Sequence, residues 1–223
     1  MIFDGSNTVL VVGAHPDDEV LGVGGTMAKH AACGDDVHIL IVTEGTTHQY
    51  NDADIIGKKQ DHARACADVL DATSVHFGEL PDMRLDTVAH VEINNAIETV
   101  CTEIEPDIVY THSRREVNRD HVAVHDSTLV AARPGSGISA IIAYETPSST
   151  DFAANADGFT PSLFVDISEY LDRKLTAFAE YKTEIRESPH PRSPEALRAI
   201  ATTRGAASGV PAAEAFDLLR AYR

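Results

Sequence analysis

From Val9 to Val12 the chain is apolar at every position, and the run passes directly into Gly13-Ala14-His15-Pro16-Asp17-Asp18-Glu19. A strand with no polar face must be covered on both sides, as strands are inside a parallel sheet flanked by helices. The rest of the chain repeats that demand. Strands are predicted at Thr8–Gly13, Val37–Thr43, Ser74–Phe77, Asp107–Thr111, Ala140–Glu145 and Leu163–Ile167. Helical periodicity fills the intervals: Asp18–Cys33, Ala53–Leu70, Val88–Ile104 before Pro106, and His121–Arg133 before Pro134-Gly135. The final third reads as helical, with Leu171, Leu175, Phe178 and Tyr181 at helix spacing and Ser193-Pro194-Glu195 as a capped helix start. This alternation predicts an α/β fold, a three-layer α/β/α sandwich around a mostly parallel sheet. A length of 223 residues suits one domain spanning residues 1–223.

Charge and cysteine content narrow the function. A formal charge of −17, from 35 acidic against 18 basic side chains, repels polyphosphate backbones and argues against nucleic-acid binding. Such a surface suits a protein adapted to high salt, or equally an acidic enzyme of a moderate cytoplasm. Cys33, Cys66 and Cys101 form no CxxC pair, which argues against a disulfide framework and a thiolate zinc site. No segment approaches the roughly 18 apolar residues of a membrane span. The N-terminal MIFDGSNTVLVVG has no basic leader, so it reads as a first strand, and a cytoplasmic protein is expected.

In parallel sheets the ligand crevice lies beyond the carboxyl ends of the strands. Two such ends are dense in metal-ligand side chains: His15-Pro16-Asp17-Asp18-Glu19 after the first strand, and Asn118-Arg119-Asp120-His121 after the fourth. A catalytic zinc takes three protein ligands of imidazole or carboxylate type and keeps one position open. His15, Asp18 and His121 supply that set. Pro16 stiffens the turn, so that Asp18 can bind metal while Asp17 faces the attacking water as general base. The competing explanation is structural: acidic residues at a helix start complement its dipole without catalysis.

HPDDE after a first strand, with a later Asp-His opening a helix, resembles the PIG-L/LmbE-like family of zinc-dependent N-deacetylases. Further segments resemble its sugar-deacetylating branch: Pro81-Asp82-Met83-Arg84-Leu85-Asp86, Tyr144-Glu145-Thr146-Pro147-Ser148-Ser149-Thr150, Phe164-Val165-Asp166-Ile167 and Pro189-His190-Pro191-Arg192-Ser193. The resemblance implies a Rossmann-like sheet, a homo-oligomer, and release of acetate from an N-acetylated amino-sugar substrate. It implies Zn2+ on His15, Asp18 and His121, Asp17 as base, and Arg84 in contact with substrate. Many members carry a histidine that stabilises the oxyanion where this chain has Asn118. That leaves Asn118, His190 and His112 as candidates for the donor, with His190 preferred and His112 next. Asp120 is expected to orient a ligand histidine.

The remaining histidines carry weaker signals. His125 lies one helical turn after His121, and a packing or supporting role is expected for it. His48 follows the second strand; His30, His38, His62, His76 and His90 lie in no motif. Gly22-Val23-Gly24-Gly25 lacks GxGxxG spacing and reads as a device for close helix packing. Two other functions compete: a non-catalytic sugar- or nucleotide-binding module, and a metal-dependent hydrolase of another bond, such as a phosphoester, using two metals.

Overall fold

The computed structural model describes residues 2–3, 5–45, 53–152 and 158–222. In chain order the elements are β1 (Thr8–Gly13), α1 (Asp18–Cys33), β2 (Asp36–Thr43), α2 (Ala53–Leu70), β3 (Ser74–Leu80), α3 (His90–Ile104) and β4 (Ile108–His112). They continue as α4 (Arg119–Ala131), β5 (Ala140–Tyr144), β6 (Leu163–Asp166), α5 (Leu171–Phe178), α6 (Pro194–Ser208) and β7 (Ala213–Ala221). The sheet has the order β3-β2-β1-β4-β5-β7-β6. β1 pairs in parallel with both β2 and β4, so the chain winds outward in both directions from the β1–β4 junction. That junction is the topological switch point, where such sheets open a crevice.

The apolar run of β1 divides cleanly between the two faces. Val9 and Val11 join the cluster beneath α1 and α2, with Ile39 of β2, Tyr110 of β4 and Phe178 of α5. Leu10 and Val12 join the opposite cluster with Leu40, Val109, Ile97 of α3 and Val124 of α4. All four are 0% exposed. The glycines of α1 do permit close approach: a Cβ at Gly22 would lie 2.2 Å from the Tyr144 ring, and one at Gly25 would lie 2.7 Å from Ile167. α6 begins as its sequence dictates, Ser193 Oγ accepting from Ala196 N at 3.1 Å with Pro194 in the first turn.

The C-terminal segment departs from expectation. Residues 213–221, inside the stretch read as helical, form β7, antiparallel to both β5 and β6. The sequence AEAFDLLRA is rich in helix formers, but two open strand edges decide its conformation. Buried Glu214 locks it in place, accepting from Gly25 N at 2.9 Å, Thr26 N at 2.7 Å and Lys174 Nζ at 2.6 Å. Lys174 Nζ also donates to Leu21 O at 2.8 Å, so β7 and α5 together satisfy polar groups along α1. No helix among the described residues is long and apolar enough to cross a membrane.

Candidate metal and active site

The turn after β1 is held tightly. Ala14 N donates to His112 Nε2 at 2.9 Å, tying the end of β1 to the end of β4. Thr43, ending β2, donates to Ala14 O through both its N–H, at 3.0 Å, and its hydroxyl, at 2.7 Å. Asp17 follows with φ of 121°, a left-handed backbone that side chains rarely adopt. Strain of this kind gathers at functional sites, where surrounding bonds hold it. Here Glu19 Oε2 accepts from Asp17 N at 3.1 Å, and Leu21 N donates to Asp17 O at 3.0 Å.

Three donor atoms meet beyond the β1–β4 junction. His15 Nδ1 lies 3.1 Å from Asp18 Oδ2 and 3.2 Å from His121 Nε2, and His121 Nε2 lies 3.3 Å from Asp18 Oδ2. Asp18 and His121 side chains are 1% exposed and His15 is 14% exposed. The outer nitrogens of both histidines face carboxylates. His15 Nε2 is 3.1 Å from Asp120 Oδ2 and 3.3 Å from Asp82 Oδ1, while His121 Nδ1 is 2.9 Å from Glu116 Oε2. With a cation at the cluster, those carboxylates would take the imidazole protons on the outside and leave the lone pairs facing inward.

Whether this set suits a cation is decided by its polar balance. Asp18 Oδ2 already accepts from His15 N at 2.8 Å, but its Oδ1 is buried without a hydrogen-bond partner. A buried carboxylate oxygen left unsatisfied is costly, and a cation satisfies it. The donors match zinc chemistry in number and type. Burial works against charge on His15, yet Asp120, Asp18 and Asp82 outweigh it and push its pKa up to about 10. Burial likewise opposes charge on His121, but Asp18 and Glu116 raise its pKa. Burial would raise Asp18, but His121 holds it well below the usual carboxylate range.

Asp17 stands beside this cluster, 2% exposed. Burial raises its carboxyl above the usual range against the pull of Arg192, whose Nη1 donates to Asp17 Oδ2 at 2.7 Å. A cavity of about 210 Å3 opens here, lined by His15, Pro16, Asp17, Gly45, Lys59, Asp82, Met83, Asn118, Glu184 and Arg192. A larger one of about 400 Å3, beside Glu98 and Arg133, lies by the C-terminal ends of α3 and α4, away from these donors.

The other predicted site residues fall at various distances from the cavity. Asp120 is 2% exposed and pinned by Leu85 N at 3.0 Å as it meets His15. Asn118 lines the cavity and caps α4, its Oδ1 accepting from Asp120 N at 2.9 Å. Its Nδ2 lies 3.8 Å from Met83 Sδ. Arg84 is exposed at the start of the short 3-10 turn Leu85–Thr87, next to the lining residues Asp82 and Met83.

His112 is 0% exposed and stacks on His121 at 3.9 Å between ring centroids. Its Nε2 lone pair is taken by Ala14 N, which leaves the proton on Nδ1, facing Thr146 Oγ1 at 3.2 Å. Burial, with His121 beside it, lowers its pKa to about 4, so the ring is neutral. His190 is exposed and is not among the cavity-lining residues; its Nδ1 accepts from Arg192 N at 3.0 Å. The residue of that segment which reaches the cavity is Arg192. His125 is buried, and its Nδ1 donates to His112 O at 2.7 Å. His48 lies outside the described residues.

Sequence reasoning missed Glu116, Lys59 and Glu184 and did not single out Arg192. Glu116, five residues before His121, also accepts from the hydroxyls of Ser149 and Thr150. A carboxylate shortly before a ligand histidine was the available signal. Lys59 and Glu184 pair at 2.8 Å from α2 and from the loop before α6, where no local pattern marks them.

Known proteins resemble the chain in sequence and in fold. The PIG-L family model, described as GlcNAc-PI de-N-acetylase, matches residues 10–132, more than half of the chain. YaiS of Escherichia coli (strain K12), an uncharacterized deacetylase, is 29% identical over 185 residues, covering 78% of this chain and 90% of that protein. Diacetylchitobiose deacetylase of Thermococcus kodakarensis is 27% identical over 218 residues, covering 93% and 81%. A 4-oxalmesaconate hydratase of Pseudomonas putida is 27% identical over 195 residues, covering 76% and 71%. The zinc-inhibited form of teicoplanin deacetylase Orf2 shares the fold, with a TM-score of 0.78 at 18% identity over 96% of this chain and 98% of that one. The HPDDE turn and the Asp-His pair meet at the switch point of the sheet, within the residues that the family model matches, and the chain belongs to the PIG-L family of deacetylases.

Proposed function

We propose that the protein hydrolyses the N-acetyl amide of an amino-sugar-containing substrate, at a zinc site made by His15, Asp18 and His121. The observation that carries this reading is the convergence of three donor atoms within 3.3 Å, beside a buried Asp18 oxygen that has no other partner. Zinc, when bound, supplies Lewis acidity toward an acyl oxygen and lowers the pKa of water toward ~7. The chain's own groups do the rest. Asp17 accepts the proton of the attacking water and returns it to the departing amine. Asp120 and Glu116 hold the ligand imidazoles in the tautomer that presents their lone pairs.

For the second oxyanion donor we favour Asn118, whose side chain lines the cavity, over His190 and His112. His112 has its Nε2 occupied as an acceptor, and His190 is exposed on its own turn. A cavity of about 210 Å3 walled by carboxylates, a lysine, an arginine and an amide suits a hydroxyl-rich sugar unit. The diacetylchitobiose deacetylase relative supports that substrate class.

The P. putida hydratase relative supports a second reading, addition of water to an unsaturated acid. Lys59 and Arg192 are the cations at hand for its carboxylates, and both already pair with Glu184. One experiment separates the readings. Acetate release is measured from a panel of N-acetylated amino sugars with purified protein, then with chelated protein, then after zinc is restored. Loss and recovery of acetate release support amide hydrolysis at zinc; full activity after complete chelation refutes it.

A further inference from the structure

We infer that Arg192 is a positioning residue, clamping the Asp17 carboxylate in the orientation from which it works; the inference rests on Asp17 being the base. The backbone of Asp17 is fixed in an uncommon conformation, φ 121°, with its N–H held by Glu19. Those bonds fix the main chain and leave the carboxylate direction to another partner. Arg192, 175 positions later in the chain, supplies it: Nη1 donates to Asp17 Oδ2 at 2.7 Å.

Arg192 is itself held at both ends. Its Nε donates to Ser148 Oγ at 2.9 Å, and Nη1 also meets Glu184 Oε2 at 3.2 Å. Its own N donates to His190 Nδ1 at 3.0 Å, and its O accepts from Arg186 N at 3.4 Å. Glu184 is in turn anchored by Lys59 Nζ at 2.8 Å and Thr183 Oγ1 at 3.0 Å. The result is a row of alternating charge, Lys59, Glu184, Arg192, Asp17, leading into the cavity. Glu184 offsets the guanidinium charge, so that Arg192 directs Asp17 with less of the charge of an isolated ion pair. A planar guanidinium bonded through Nε and Nη1 fixes a direction that an ammonium does not. This also gives His190 a role, since its ring shapes the turn that presents Arg192.

The test uses zinc-loaded protein, with acetate release from N-acetylglucosamine and N,N′-diacetylchitobiose as the assay and a crystal structure as a second readout. Arg192→Gln is expected to lower kcat by about 10²-fold, as a misdirected reacting group does, with KM and zinc content little changed. Arg192→Lys is expected to recover part of the loss. In an Asp17→Asn background, Arg192→Gln is expected to change kcat by less than about twofold, because the two residues act as one unit. The structure of Arg192→Gln is expected to show the Asp17 side chain in a different rotamer. Additive losses in the double variant, a raised KM at unchanged kcat, or an unmoved Asp17 carboxylate would each overturn the inference. Normal turnover by Asp17→Asn alone refutes the base assignment instead, and the crystal structure then still decides whether Arg192 sets the side chain.

Discussion

Glu116 Oε2 lies 2.9 Å from His121 Nδ1 and thereby fixes which nitrogen of that imidazole is available to a metal. Ser149 and Thr150 donate to the same carboxylate, so it serves His121 purely as an acceptor. Replacing it with glutamine introduces an N–H that can donate to Nδ1 and turn the proton toward the cluster. Glu116→Gln is expected to weaken zinc binding by ~10–100-fold, as loss of such partners commonly does. Competition with a chromophoric chelator measures this; unchanged affinity would remove Glu116 from the site.

Asp17 and Asp18 are neighbours with opposite surroundings, one against Arg192 and the other among imidazoles. Asp17→Asn is expected to keep near-normal zinc content and lose ~10²-fold or more in kcat. Metal analysis beside the rate assay checks both. Loss of metal from this variant would mean that the two aspartates have exchanged roles.

The Glu214–Lys174 pair is buried, at 4% and 6% side-chain exposure, and it ties β7 and α5 to α1. Removing one partner leaves an uncompensated buried charge, which typically costs about 3–5 kcal/mol. Glu214→Ala is therefore expected to lower the thermal midpoint by roughly 10 °C. Calorimetry reads the change, and a shift of only a degree or two would assign the pair no structural weight.

His125 is 4% exposed, and burial lowers its pKa. The bond to His112 O, Asp126 and Asp217 favour its charged form without outweighing burial, to which Arg114 adds. The folded pKa thus lies below the unfolded value of about 6.5. The unfolded chain then binds more protons as pH falls, so the stabilisation is complete above about 6.5 and is lost below it. Melting temperature is expected to fall between pH 7 and pH 5, and His125→Gln to flatten that fall. An equally steep profile in the variant would show that His125 does not contribute.

The acidic surface yields a separate expectation. With a formal charge of −17, self-repulsion is screened by salt, and the melting temperature should rise from low to molar potassium chloride. An unchanged midpoint would show that the charge is not a stability device.

The sheet and the ligand cluster were legible because they obey local rules. β1, β2 and β4 are short apolar runs; the His15 turn follows β1 directly, and the helix that carries His121 follows β4 after a short loop. β7 was not legible, because Ala213–Ala221 carries helix-forming residues and takes its conformation from two distant strand edges. Arg192 and Glu116 escaped for a related reason. Each lies outside the helices and strands, and its partners are set by tertiary distance; Asp17 is 175 positions from Arg192.

His15 and His121 are 106 positions apart, one following β1 and the other in α4 after β4, so neither segment holds a usable site alone. A cation with affinity for the assembled cluster acts as a clasp across the central seam of the sheet, favouring the folded chain by mass action. Zinc uptake would therefore report on assembly as well as on chemistry: a variant whose strands fail to dock along that seam, however remote its lesion, should register first as a protein that no longer retains metal.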